Sequence, residues 1–181
     1  RIFYIDIEAW VNDGKIPSFS NNNAEINAIT IYDNYTKTYY SWFLVPPSYT
    51  DSHEDIITKI DESVSDYSIH TEIKIFRDPA LLLSAFSHFI KTNCPDIITA
   101  WNSQFDIPYI TRKIYDYFGN EGLKILSPFN RVSSKITSAL ESGIELSIDT
   151  LIPGISVIDM MQLYKKNADT ERPSYALKNI T

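Results

Sequence analysis

The chain has 181 residues, is 44% hydrophobic and 13% aromatic, and carries a formal net charge of −7. That composition suits one soluble globular domain with a sizeable core. The acidity argues against a protein that coats nucleic acid non-specifically, and no apolar run reaches the length needed to span a bilayer. The single cysteine, Cys94, allows neither an intrachain disulfide nor a cysteine-based zinc site and suits a reducing, cytoplasmic setting.

No signal peptide precedes the first element, and no initiator Met is present, so the chain reads as a piece of something longer. Residues 2–8 are apolar and β-rich and predict a buried strand. The polar run Ser18-Phe19-Ser20-Asn21-Asn22-Asn23 predicts a loop. Ile26 to Tyr32 and Thr38 to Val45 predict an antiparallel hairpin turning at Asn34 and ended by Pro46-Pro47. Residues 48–70 are acidic and irregular, with room for one short helix, and Glu72 to Phe76 predicts a short strand.

Asp78 as N-cap and Pro79 at the first helical position open a helix. Leu82, Phe86, Phe89 and Ile90 carry it at helical spacing, and Asn93-Cys94-Pro95 ends it. Ile97 to Trp101 predicts a buried strand, and a second helix runs from about Pro108 to Phe118 with Gly119 as its stop. Arg131 to Leu140 and Ile144 to Ile152 flank Ser142-Gly143 and predict a hairpin. Gly154 precedes a last strand, Ile155 to Ile158; Asp159 then begins a helix through Lys166, and Pro173 starts another. Strands alternating with helices after an opening hairpin predict an α/β domain with a mixed sheet. Ligands in such sheets sit at the carboxyl ends of strands.

Asp6 and Glu8 lie two apart on the first strand, so both side chains point to one face. Two carboxylates there repel each other unless a cation lies between them, which is the arrangement of a divalent metal site. The same pair also reads as two solvated charges at a strand end. In Ile97-Ile98-Thr99-Ala100-Trp101-Asn102-Ser103-Gln104-Phe105-Asp106, a buried strand ends in Asn102 and Asp106 opens the next helix. Asp106 serves there either as an N-cap or as a third carboxylate facing Asp6 and Glu8. Asn102 either orients a substrate by hydrogen bonding or closes the turn.

Asp6-Ile7-Glu8 resembles the first exonuclease motif of DNA polymerase proofreading domains, and Asn102 to Asp106 resembles the second. The flanking strings Glu25-Ile26-Asn27-Ala28-Ile29-Thr30, Leu126-Ser127-Pro128, Gly154-Ile155-Ser156-Val157-Ile158-Asp159, Leu163-Tyr164-Lys165-Lys166 and Pro173-Ser174-Tyr175-Ala176-Leu177 sharpen the likeness. They recur in the order found in family B polymerases of the T-even-phage type, over nearly the whole chain. Two features depart from that family. The spacer between Asn102 and Phe105-Asp106 is Ser103-Gln104, two residues instead of three, as is common in separate proofreading subunits of the same superfamily. The third motif, a Tyr with an Asp four residues later, belongs beyond Tyr175-Ala176-Leu177, and the chain ends first.

The resemblance implies a ribonuclease-H-like mixed β-sheet flanked by helices, with an inserted β-hairpin near residues 131–152. It implies one 3′→5′ exonuclease domain over residues 1–181, cut short at its C-terminal end and belonging to a longer replicative DNA polymerase. The implied reaction is two-metal hydrolysis of the 3′-terminal phosphodiester of DNA to nucleoside 5′-monophosphates. Asp6 would bridge two divalent cations, Mg2+ or Mn2+; Glu8 would hold the one near the attacking water and Asp106 the second. Asn102, Phe105 and Ile16 would contact substrate, Ile16 by wedging against the terminal bases. The implied partners are the single-stranded 3′ end of primer DNA and the other polymerase domains of the same chain, with no membrane and a cytoplasmic location. The alternatives are a non-catalytic DNA- or partner-binding module of the same fold and a stand-alone exonuclease.

Asp159 reads as an N-cap rather than a ligand, and His53, His70 and His88 form no metal spacing. His88 is expected within a packed helix. Three further expectations follow. Mutual repulsion raises at least one pKa among Asp6, Glu8 and Asp106. The hairpin at Ser142-Gly143 helps hold DNA strands apart. Without a fourth carboxylate, the chain alone degrades single-stranded DNA slowly or not at all.

Overall fold

Strand β1 (Ile2–Ala9) alternates strictly: Phe3, Ile5 and Ile7 are buried, while Tyr4, Asp6 and Glu8 face the other way. Five more strands join it: β2 (Ile26–Asp33), β3 (Thr38–Leu44), β4 (His70–Phe76), β5 (Ile97–Ala100) and β6 (Ser156–Asp159). They form one sheet in the order β4-β3-β2-β1-β5-β6. β1 and β2 pair antiparallel, as do β2 and β3; the β3–β4, β1–β5 and β5–β6 pairs are parallel. The helices are α1 (His53–Val64), α2 (Pro79–Asn93), α3 (Ser103–Leu126) and α4 (Met160–Asn167). The computed structural model describes residues 1–11, 14, 17, 22–133, 136, 141–142, 152–168, 170 and 172–180, apart from the Asp66 side chain. The mixed sheet flanked by helices is the predicted architecture.

The core lies between α2, α3 and the sheet face carrying Phe3, Ile5, Ile7, Ile29, Ile31 and Trp42. α2 starts where its sequence says. Asp78 accepts the Ala80 N–H at 2.8 Å, Pro79 occupies the first turn, and Cys94 ends the helix with φ 40°. Its Phe86 meets Trp42 edge-on at 5.7 Å, and Phe89 contacts Tyr40 at 4.6 Å and Trp42 at 4.9 Å. α1 is the short helix of the acidic stretch. Ser52 and Asp55 form its capping box, and only Ile56 is buried along it.

Two glycines set the path of the chain within α3 and into β6. Gly119 has φ 59° and ψ −156° within α3, so the predicted stop is a break after which the helix resumes to Leu126. Gly154 has φ 96°, and a Cβ there would stand 2.6 Å from carbons of both Pro128 and Phe129. Only glycine lets the chain pass that ring pair into β6. At the opposite end of β1 from its carboxylates, fully buried Asp33 accepts Arg1 Nε at 3.0 and 3.1 Å, the Tyr35 N–H and the Thr36 hydroxyl. Burial pushes its carboxyl up, and these bonds outweigh that, holding it below the usual carboxylate range.

Three expectations need correction. α3 begins at Ser103, not near Pro108. The helix expected from Pro173 is a single 3-10 turn, Leu177–Asn179. Ala176 is extended (φ −60°, ψ 135°), because Tyr175 is committed elsewhere: its carbonyl accepts Trp101 Nε1 at 2.9 Å and its hydroxyl the Arg172 N–H at 3.2 Å. His88 sits on the exposed side of α2, its Nδ1 2.8 Å from the Ser84 carbonyl. Of the hairpin predicted over 131–152, residues 134–135, 137–140 and 143–151 lie outside the described residues, as does Ile16. Ile136, Glu141 and Ser142 within that segment have helical backbone. Among the described residues no helix is long and apolar enough to cross a membrane.

Burial along α2 predicts a sharp contrast. Phe86 is 2% exposed and Leu81 60% exposed. Phe86→Ala should lower unfolding free energy by about 3–5 kcal/mol, and Leu81→Ala by under about 0.5 kcal/mol, in urea titrations. Equal losses would contradict the packing described.

Candidate active site

The carboxyl ends of three parallel strands meet at one side of the sheet. β1 delivers Asp6 and Glu8, in register with Thr30 and Ala28 of β2. β5 lies beside β1 and runs into Trp101 and Asn102. β6 lies beside β5, with Asp159 in register with Ala100. Strand alternation places Asp6 and Glu8 on the exposed face, as their i, i+2 spacing predicts.

Asn102 is the N-cap of α3. Its carbonyl accepts the N–H groups of Phe105 at 2.9 Å and Asp106 at 3.1 Å, while its side chain makes no capping bond. Asp106 is therefore not the cap. It lies within the first turn, 4% exposed, where the helix dipole favours an anion. Phe105 is half-buried, stacks on Tyr109 at 5.4 Å and packs against the core, so it seats α3.

Ser103 and Gln104, read from the sequence only as a shortened spacer, have a structural task. The Ser103 hydroxyl and the Gln104 N–H both donate to Asp159 Oδ2 at 3.2 Å. Asp159 Oδ1 accepts the Gln162 N–H at 2.7 Å, which makes Asp159 the predicted N-cap of α4. One carboxylate thus ties the start of α3 to the end of β6. A serine in a short polar spacer after one strand, matched by an aspartate after another, is the signal that could have revealed this pairing.

The charges are crowded. The Asp106 carboxyl is pushed up to about 8, first by burial and then by repulsion from Asp6, Asp159 and Glu8, in that order. Burial also raises Asp6, opposed by the Ile7 N–H. The expected upward shift is present, with burial ahead of repulsion. Among the described residues no three acidic, histidine or cysteine side chains stand close enough to enclose a metal ion. The donor chemistry is that of a hard divalent cation, an all-carboxylate set of Asp6, Glu8 and Asp106, while the three stand apart in the absence of positive charge. Next to Asp6 the open sheet face forms a groove of about 750 Å³ lined by Tyr4, Thr30, Tyr32, Tyr39 and Trp101. Tyr4, Tyr32 and Tyr39 form a ring ladder along it, with centroids 6.0 and 4.8 Å apart.

Residues 1–180 match the family described as DNA polymerase family B, exonuclease domain. The chain is 35% identical over 191 residues to a DNA-directed DNA polymerase of Escherichia phage RB69, an alignment covering 100% of this chain and 21% of that protein. It is 30% identical over 193 residues to a DNA-directed DNA polymerase of Enterobacteria phage T4, covering 99% of this chain and 20% of that protein. The chain spans about a fifth of the length of these relatives.

The buried carboxyl makes a signed prediction. Between the unfolded carboxyl pKa of about 4 and the folded value of about 8, the folded chain holds a proton that the unfolded chain releases. Stability from this group is full below about pH 4 and is lost as pH rises through about 8. In metal-free buffer, Asp106→Asn should be more stable than wild type at about pH 9, by on the order of a few kcal/mol, with little difference near pH 4. A variant no more stable than wild type at high pH would show that the charge is not costly there.

Proposed function

Because the chain belongs to the exonuclease-domain family of family B DNA polymerases, we propose that it removes nucleotides from the 3′ end of DNA at Asp6, Glu8 and Asp106. The observation that carries this reading is Asp106, a carboxyl 4% exposed at the meeting point of three strand ends, raised first by that burial and then by the acids of β1 and β6. An acidic site cannot accept an anionic phosphodiester by itself, so counter-charge must enter with or before the substrate.

Asp6, Glu8 and Asp106 are the side chains that would hold Mg2+ or Mn2+. Bound there, such ions supply an activated water and neutralise charge on the scissile phosphate. Positive charge bound there would favour the ionised form of Asp106. Asp159 has both oxygens engaged by Ser103, Gln104 and Gln162, so it acts as a fixed anionic wall and not as a free ligand. The Asn102 amide is not spent on capping and is available to hydrogen-bond the substrate. Phe105 keeps Asp106 in place by seating α3. Ile16, ahead of Pro17, is assigned to contact with the terminal bases. A fourth carboxylate is expected from further along the parent polymerase, whose other domains would hold the duplex from which the primer end frays.

The test is digestion of a 5′-labelled single strand with Mn2+, in a chain extended through the downstream Tyr and Asp. Asp6→Ala or Asp106→Ala should slow release of nucleoside 5′-monophosphates by about a hundredfold or more. Residues 1–181 alone should cut far more slowly than the extended chain. Wild-type rates in both variants would remove the carboxylates from the reaction.

A further inference from the structure

Seven residues beyond Asp106, on the same side of α3 two turns on, Lys113 is 4% exposed. Its Nζ stands 3.2 Å from Glu25 Oε1, which also accepts the Tyr117 hydroxyl at 3.0 Å. Glu25 Oε2 is buried and has no hydrogen-bond partner among the described residues. Glu25 itself sits at a junction. Its carbonyl accepts the Trp10 N–H at 3.1 Å, and the next residue, Ile26, pairs with Ala9, directly after Glu8. One turn earlier on the same helix, the Tyr109 hydroxyl donates to the Ala24 carbonyl at 2.7 Å. Tyr109, Lys113 and Tyr117 thus grip residues 24–25 from one stripe of α3.

Stability alone does not call for this arrangement. A buried amine is costly to desolvate, and a well-packed apolar residue of similar volume often does as well as an ion pair. What an ion pair adds is a defined register between two elements. Here the same interface carries repulsion, since the charge of Asp106 on α3 acts against those of Asp6 and Glu8 on β1. Lys113 and Glu25 place an attractive contact two turns away across it.

We propose that Lys113 and Tyr117, acting through Glu25, are positioning residues that pin the Glu8 end of β1 to the helix bearing Asp106, so that the carboxylates meet their cations at fixed separation. The inference rests on the carboxylate reading above. Its test is Mn2+ affinity, followed by the free-ion electron paramagnetic resonance signal alongside urea unfolding. Lys113→Met should weaken Mn2+ binding by roughly 10- to 100-fold, the usual effect of losing a residue that orients metal ligands. Lys113→Arg keeps the charge and should stay near wild type. The double variant Lys113→Met with Glu25→Met leaves no unpaired charge; it should regain stability while Mn2+ binding stays weak. Wild-type affinity in Lys113→Met, or affinity returning with stability in the double variant, would overturn the proposal. Asp6→Ala separates the two readings. If it binds Mn2+ as wild type does, the carboxylate site itself fails and the positioning role with it. If it is weak while Lys113→Met is normal, only the positioning role fails.

Discussion

Asp106 is the constraint around which the domain is arranged. A carboxyl 4% exposed and facing Asp6, Glu8 and Asp159 is an arrangement that folding alone disfavours. Its position in the first turn of α3 lets the helix dipole offset part of the cost, and the carboxyl, pushed up to about 8, ionises less readily as a result. The neighbouring contacts make sense as supports for this placement. Phe105 and Tyr109 seat the helix, and Ser103 and Gln104 fasten its start to Asp159 on β6. Lys113 draws the β1–β2 end back toward it through Glu25.

Topology makes the crowding possible. β1, β5 and β6 are mutually parallel neighbours, so their carboxyl ends emerge on one side of the sheet. In an antiparallel arrangement the three ends would alternate sides and the acids could not gather. The chain's net charge of −7 is consistent with work on DNA when that charge is read locally. A phosphodiester approaches an acidic pocket only with cations present. The open groove lined by the tyrosine ladder includes Asp6 and carries one base, Lys37.

Much of this was legible in the sequence because the signals were local. Asp78-Pro79 opened α2 as read, Asp159 capped α4, and the i, i+2 spacing of Asp6 and Glu8 put both on one face. Asp106 was placed near those acids, although its alternative reading as an N-cap fell to Asn102. The misreadings arose where tertiary contacts override local preference. Pro173-Ser174-Tyr175 has a helix-start pattern, yet Tyr175 gives its carbonyl to Trp101 and its ring to Lys165, at 4.7 Å. Gly119 marked a real break but not the end of α3, because Leu123 and Leu126 beyond it still reach the core. The pairing of Lys113 with Glu25 spans 88 positions and has no periodic signature, so no reading of one segment could have found it.

The central claim, that a buried, protonated Asp106 awaits positive charge, is tested most directly by counting protons released when Mn2+ binds. Calorimetric titration at about pH 7 in buffers of different ionisation enthalpy gives that count. With Asp106 held at about 8, Mn2+ should expel about one proton per chain, and Asp106→Asn should abolish the release. No buffer dependence in wild type, or the same release in Asp106→Asn, would contradict the account.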